Sequence, residues 1–372
     1  MNSIDRIIFW EPSLSPHKTS FFSAIVKLAP KIEVVCCAQT DIPMYRKAMG
    51  WKIKSNLPFK IIIEPTDDQI ELICSQKIKS TIHIFSGIRW IPIIVKALKM
   101  VRLNHANFAM MSEPRVNIGL LGKLRFLHSR ISERWLCKNV QFVLAQGRNG
   151  PLWFRSVGYF EDKIFPFAYY INPPICKGTQ IKAANKPIQI GYVGRLTRAK
   201  GVYEIINAVN LTNHKIELFF VGIGPEEENM RLMCKRLRIK ASFIGSIEIE
   251  RIGEFMSQID LLVLVSRSDG WGVVISEALL CGTPVISYPS VGASIMLCEP
   301  LFGKLISSNS PHLIAKAISE LYLSSAFSDG MRKKRKALAR QLLSAESGAS
   351  YFLKIIKWCF DNGVKPNPFY KA

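Results

Sequence analysis

Short apolar runs alternate with helix-length amphipathic segments over most of the chain, and this alternation limits its folding more than any other feature. A strand buried on both faces reads as a continuous apolar run, and successive parallel strands need a crossover long enough to hold a helix. The pattern therefore predicts an α/β architecture built on parallel sheets. Strands are expected over Ile7–Trp10, Ile32–Cys36, Ile82–Phe85, Phe108–Met111 and Phe142–Ala145, and again over Ile188–Val193, Ile216–Val221, Ser242–Ile244, Leu261–Val265 and Pro284–Ser287. Each half should form its own sheet, because 372 residues exceed what one core of ordinary size holds. Ile171–Lys186 carries Pro173, Pro174 and Gly178 in a polar, basic stretch without apolar period, the composition of an interdomain connection. The expected organisation is a first domain over 1–170, a linker over 171–187, a second domain over 188–350 and a final helix, 351–372, returning to the first domain.

The formal charge is +22, with the basic excess present in both halves, so the chain is not a neutral body with a basic tail. Such a charge predicts attraction to something acidic: nucleic acid, an anionic bilayer or a phosphorylated substrate. Nine cysteines include the adjacent Cys36 and Cys37 but no C-x-x-C or Cys/His cluster of zinc-like spacing, which is the pattern of a reducing cytoplasm. The N-terminus lacks the features of a signal peptide. No apolar stretch reaches the length of about 18 residues that a membrane span needs, the best candidate, Trp90–Val101, being broken by Lys96 and Lys99. The basic run Arg332–Lys336 reads as a solvated helix face in preference to a dedicated binding patch.

Three loops in the second half carry the chemistry. Ile190–Gly201 runs from a strand through Gly194 into a helix start, with Arg195 and Lys200 beside it. Exposed amides at a helix N-terminus together with two cations make an anion site suited to a diphosphate. In G-I-G-P, Gly222 and Gly224 end a strand and Pro225 begins a helix; Glu227 stands where the third glycine of a dinucleotide fingerprint would fall, which argues against a dehydrogenase. Ser266–Ile286 is the most informative. Asp269 sits in a loop with Gly270, Trp271 and Gly272, a helix starts near Val273, and Gly282 caps it. Glu277 falls on the same stripe as Val274 and Ala278, where an unpaired charge is costly. Its partner is either a neighbouring Arg or Lys or the hydroxyls of a ribose, since a carboxylate only accepts hydrogen bonds.

These segments resemble the nucleotide-sugar domain of retaining glycosyltransferases of family four, which have the GT-B fold. The G-R-x-x-x-x-K-G element, the G-x-G-P turn, Phe243–Ser246 and the acid-x7-Glu helix occur in that family's order, over roughly 120 residues, while the first half matches only in outline. The resemblance implies two Rossmann-like doubly wound domains facing across a cleft. It implies that Arg195 and Lys200 neutralise the donor's diphosphate, that Glu277 holds the ribose, that backbone around Gly245 and Ser246 meets the base, and that Asp269, where the family usually has Glu, bonds sugar hydroxyls. Gly194, Gly222, Gly224, Gly270, Trp271 and Gly272 are carried over as donor-contacting positions. The family's Gly-Gly-x-x-Glu is degraded here to Val291–Ile295. The implied activity is sugar transfer with retention of configuration, by a metal-independent hexosyltransferase with no cofactor beyond the nucleotide-diphosphate sugar as co-substrate. No D-x-D motif is present, so cationic side chains and not a divalent metal are expected to stabilise the leaving diphosphate.

In the first half, Glu11–Phe22 replaces the family's usual glycine pair, and His17 is a candidate contact for acceptor or diphosphate as well as a candidate solvated loop residue. Glu113 follows a strand end and is a weaker candidate for orienting an acceptor hydroxyl. From Val116 to Lys138, positions 120, 124, 127, 131 and 135 form one apolar helical stripe edged by Lys123, Arg130 and Arg134. It is read either as a helix packed on the sheet or, with Lys96, Lys99 and Arg102, as a surface resting on anionic lipid that presents a lipid-linked acceptor. The latter places the protein in the cytoplasm, peripheral on the inner membrane face, with no nucleic acid as partner. The rivals are an epimerase or hydrolase of the same architecture and a non-catalytic membrane- or nucleic-acid-binding protein.

Overall fold

The computed structural model describes residues 4–53, 55–115, 119–176 and 186–370. Most of the expected linker, including Gly178, and residues 116–118 lie outside the described residues. The chain divides into two compact units, one formed by 1–47, 52–172 and 345–369 and the other chiefly by 173–344.

The first unit contains β1 (Arg6–Glu11), β2 (Glu33–Ala38), β3 (Lys60–Ile63), β4 (Thr81–Phe85), β5 (Asn107–Ser112), β6 (Val143–Gln146) and β7 (Ile164–Phe167), in the order β3-β2-β1-β4-β5-β6-β7. Every pairing is parallel. Strands β1, β4 and β6 are buried along their whole length, the reason they read as mainly apolar runs; His83 in the middle of β4 accepts at Nδ1 from the Trp10 indole N–H at 3.1 Å. The second unit contains β8 (Ile188–Val193), β9 (Ile216–Val221), β10 (Lys240–Gly245), β11 (Leu261–Leu264), β12 (Val285–Ser287) and β13 (Gly303–Leu305), in the order β10-β9-β8-β11-β12-β13, again all parallel.

Both orders reverse direction once, between β1 and β4 in one sheet and between β8 and β11 in the other. Loops leaving the carboxyl ends of such strand pairs diverge and open a crevice, where ligands of doubly wound sheets bind. Gly194–Gly201 follows β8 and Ser266–Gly272 follows β11, so the two most informative sequence segments flank the reversal of the second sheet.

Three strands escaped the sequence reading, and all three lie at sheet edges: β3, β7 and β13. Strand β7 contains Pro166, which the interior of a sheet would not accept; β3 is followed at once by Glu64 at φ 51°, and β13 is three residues long. The closing helix Ala345–Phe360 lies in the first unit, where Phe352 packs edge-on against Phe21 of the helix Pro16–Leu28, with ring centroids 5.7 Å apart.

Two expectations need correction here. The run Arg332–Lys336 is not uniformly solvated, because Arg332 and Arg335 are buried in the helix Asp329–Leu343. Arg335 donates to the carbonyls of Leu301 (2.6 Å), Gly282 (2.6 Å) and Ala326 (3.1 Å), so it closes the chain just beyond the helix that carries Glu277. The reading of the leucine stripe as a face packed on the sheet holds only at its last position, where Trp135 stacks on Phe108 of β5 with ring centroids 5.3 Å apart; in the helix Gly119–Ser132 the buried residues are Gly122 and Ser129, and the leucines point outward. No helix among the described residues is long and apolar enough to cross a membrane.

Candidate functional site

The loops after β8, β9, β11 and β12 are joined into one floor by backbone hydrogen bonds. Leu196 N–H donates to Ile223 O (3.0 Å), Glu226 N–H to Leu196 O (3.2 Å), Arg267 N–H to Ala199 O (2.8 Å) and Gly292 N–H to Asp269 O (3.0 Å). The G-x-G pair belongs to this joinery. A Cβ on Gly222 would lie 1.9 Å from Gly194 O, and one on Gly224 would lie 2.2 Å from Leu196 O. These two glycines, expected as ligand contacts, are needed for one loop to lie against its neighbour. Gly201 does the same for the third loop: it sits at φ 75°, and a Cβ there would meet Val265 O at 2.4 Å. Gly245 is different, with φ 77° and open space where a Cβ would be, next to the exposed Ser246.

Two helices begin on this floor, Val202–Asn210 after Gly201 and Val273–Leu280 after Gly272, and neither has a side-chain cap. Their first amides are left for solvent or a ligand. The cations around them are not equivalent. Arg198 pairs with Glu226 at 3.2 Å and Arg267 with Glu204 at 3.4 Å, so each already has a carboxylate partner. Lys200 Nζ lies 2.6 Å from Asp269 Oδ2, both side chains about three quarters buried. Arg195 is exposed and makes no side-chain hydrogen bond or ion pair among the described residues, while its carbonyl is held by Tyr192 Oη at 2.8 Å. The loop thus offers one uncommitted guanidinium and one ammonium shared with a carboxylate.

Glu277 is 6% exposed on the second of these helices. No hydrogen bond or ion pair to its carboxylate is found among the described residues, and the basic partner considered from the sequence does not approach it. Burial alone raises its pKa from 4.5 to about 7. Trp271, expected as a substrate contact, is instead interior at 1% exposure; its indole N–H donates to Ser276 Oγ at 3.0 Å and pins the loop to the helix. Gly270 approaches the degraded glycine segment so closely that a Cβ on Gly292 would lie 1.9 Å from Gly270 O. Within that segment Ser294 is fully buried and its hydroxyl has no hydrogen-bond partner. Among the described residues no group of three or more His, Cys, Asp or Glu side chains is placed to hold a metal ion.

The first unit has its own polar cluster at the strand carboxyl ends. Glu11 ends β1, is 2% exposed, pairs with Lys18 and accepts from Ser86 Oγ at 2.7 Å. Lys18 also donates to Ser86 Oγ at 2.8 Å. Glu113 accepts from Tyr169 Oη at 2.6 Å. His17 is not a solvated loop residue: it lies in the first turn of the helix Pro16–Leu28, and burial, with Arg46 adding to it, lowers its pKa to about 4. The imidazole is neutral at physiological pH. Glu11, Lys18, Ser86 and Tyr169 were missed from the sequence, although an acid closing an otherwise apolar strand was a visible sign at Glu11.

Residues 179–341, which contain the whole floor of the second unit, match the family model described as Glycosyl transferases group 1. That segment is similar to this family, over less than half of the chain. The chain is 33% identical over 133 residues to the putative teichuronic acid biosynthesis glycosyltransferase TuaC of Bacillus subtilis, covering 34% of this chain and 31% of that protein. A longer match, 25% over 238 residues, joins 61% of this chain to 59% of the uncharacterized glycosyltransferase MJ1069 of Methanocaldococcus jannaschii. The chain thus spans less than two thirds of the length of these relatives. Among solved structures, Anabaena Alr3699/HepE, in complex with UDP and glucose, shares the fold with a TM-score of 0.70 at 14% identity, over 95% of this chain and 99% of that one. The two parallel-sheet Rossmann-like units, together with these likenesses, give the chain the GT-B fold.

Proposed function

We propose that the chain transfers a hexose from a nucleotide-diphosphate sugar to a hydroxyl acceptor with retention of configuration. The observation that carries this reading is the buried, unpartnered carboxylate of Glu277 on the same loop floor as Arg195 and the Lys200–Asp269 pair. A carboxylate in that setting favours a ligand that donates hydrogen bonds, and the two hydroxyls of a ribose do so. A diphosphate attached to that ribose meets Arg195, Lys200 and the free amides at Val202. Asp269, freed in part from Lys200, accepts from the sugar hydroxyls. HepE, solved with UDP and glucose, supports the ligand class.

In the proposed reaction the anomeric carbon–oxygen bond to the diphosphate breaks as the acceptor oxygen adds on the same face. The departing phosphate oxygen takes the acceptor proton, so no protein nucleophile is needed. Charge growing on the diphosphate is met by Arg195 and Lys200, which makes metal-independence part of the proposal. The acceptor is proposed to be a lipid-linked or polysaccharide glycan handled on the cytoplasmic face of a membrane, in keeping with the surface-polymer role in the name of TuaC and with the charge of +22. The test is product analysis with a donor, with and without a glycan acceptor. An α-linked product from an α-linked donor that appears only with acceptor supports transfer; free sugar or an epimerised donor regardless of acceptor assigns the rival hydrolase or epimerase.

A further inference from the structure

The helix Gly119–Ser132 is amphipathic the wrong way round for a helix packed on a soluble core. Its inward side carries one aromatic, Phe126, edge-on to Trp153 with ring centroids 6.1 Å apart, and is otherwise polar: Ser129 is fully buried and accepts from Arg115 Nη1 at 2.8 Å. At its end Glu133, also buried, pairs with Arg89 at 3.1 Å and Arg115 at 3.3 Å and accepts from Tyr159 Oη at 2.9 Å. Its outward side is apolar, with Leu120, Leu121, Leu124, Leu127 and Ile131 each between 54% and 80% exposed. At 100° per residue Leu120, Leu124, Leu127 and Ile131 fall within one narrow stripe opposite Gly122, Ser129 and Glu133. Lys123 and Arg130 flank that stripe on one side and His128 on the other, with the exposed Arg125 farther round toward Ser129. No Asp or Glu occurs between Glu113 and Glu133.

Trp90 extends the surface. It is 92% exposed, and its neighbour Arg89 reaches Ser132 and Glu133 at the end of the same helix. An indole presented to solvent is the residue type that settles at a membrane–water interface.

We propose that the helix Gly119–Ser132, together with Trp90, inserts its leucine stripe into the interfacial layer of an anionic lipid bilayer while Lys123 and Arg130 meet the headgroups. Lipid is favoured over a second copy of this chain by charge. Two such surfaces face to face would bring cation against cation around the apolar contact, whereas an anionic bilayer offers negative charge at the rim and hydrocarbon beneath it. The inference deepens the membrane-side part of the function proposed above, but it does not depend on the sugar-transfer chemistry.

Sedimentation of the full chain with phosphatidylcholine vesicles, with and without phosphatidylglycerol, tests it. Wild-type protein is expected on the anionic vesicles, Leu124→Glu/Leu127→Glu is expected to lose at least about tenfold in partitioning, and Lys123→Glu/Arg130→Glu to lose the salt-sensitive part. Both pairs of side chains are at the surface, and unchanged nucleoside-diphosphate affinity in each variant separates a lost membrane contact from a lost fold or donor site. Wild-type protein that ignores anionic vesicles, or a leucine variant that binds them as wild type does, overturns the proposal. So does a wild-type dimer in light scattering that the leucine variant abolishes without any vesicle binding.

Discussion

Lys200 Nζ stands 2.6 Å from Asp269 Oδ2 and ties the loop after β8 to the loop after β11 across the point where the strand order reverses. The residue proposed to meet the diphosphate and the residue proposed to meet the sugar are partners before either ligand arrives. On the proposed function, a diphosphate would draw Lys200 toward itself and release Asp269 to accept from sugar hydroxyls.

Removal of either member of this pair therefore has a distinct signature. Lys200→Ala should lower kcat/KM for the donor by about 2–4 kcal/mol, roughly 30- to 1000-fold, because a charged hydrogen bond to the leaving group is lost. Asp269→Asn should leave the affinity for a nucleoside diphosphate unchanged or raise it, since Lys200 loses a competing carboxylate, while turnover of the nucleotide sugar falls. Steady-state kinetics beside calorimetry of the sugar-free diphosphate separates the two effects.

Glu277 makes donor binding depend on pH. In the free protein burial holds its pKa at about 7, and hydroxyls that donate to the carboxylate stabilise the ionised form, so the pKa falls in the complex. Nucleotide-sugar affinity should rise with pH up to about 7 and then level off, weakening by up to about tenfold per unit below that. A nucleotide sugar is the right probe because its diphosphate diester does not titrate in this range. Glu277→Gln should bind weakly with a flat profile, as fluorescence or calorimetric titration between pH 5.5 and 8.5 reads out, these being roughly the limits that bracket the shifted pKa.

The same burial costs stability in the ligand-free protein. Below 4.5 the carboxyl is protonated in folded and unfolded chains alike; above it the unfolded chain ionises first, and the cost grows until the folded-state value near 7 is passed. Glu277→Gln should thus be neutral near pH 4 and raise stability at pH 8 by on the order of 2–3 kcal/mol, measured by denaturant unfolding. A residue that destabilises its own fold yet is needed for binding is the mark expected of a functional group.

The reading of Gly222 and Gly224 as loop-packing positions has its own consequence. Gly222→Ala places a methyl 1.9 Å from Gly194 O at a φ of 131°, and Gly224→Ala one 2.2 Å from Leu196 O, so each should lower stability by about 2–4 kcal/mol and disturb the donor loop. Gly245→Ala meets no atom and should cost about 1 kcal/mol, from its backbone conformation alone. Thermal unfolding of the three variants ranks them.

The central strands of both sheets were legible because a strand covered on both faces is mostly apolar; the edge strands β3, β7 and β13 were not, since one open side relaxes that demand, and of the edges only β10 was read. Glu277 could be placed on a buried stripe from Val274 and Ala278 alone. Trp271 could not, because an aromatic among glycines reads as a loop-surface residue until the indole is seen to bond Ser276. The run Arg332–Lys336 hid two buried arginines among exposed lysines, a distinction that needs the carbonyls around Arg335. The leucines of Gly119–Ser132 were found as a stripe, but periodicity says only that a helix has two faces, and Ser129 and Glu133 decide which one turns inward.

The central claim is that Arg195, Lys200 and Glu277 hold the diphosphate and ribose of the donor. Calorimetric titration of the full chain with UDP, GDP and ADP, repeated on Arg195→Ala/Lys200→Ala and on Glu277→Ala, tests it most directly. Saturable binding of at least one nucleotide by wild type, weakened at least about 30-fold in both variants, is the predicted result. Equal affinity in wild type and variants would contradict the account.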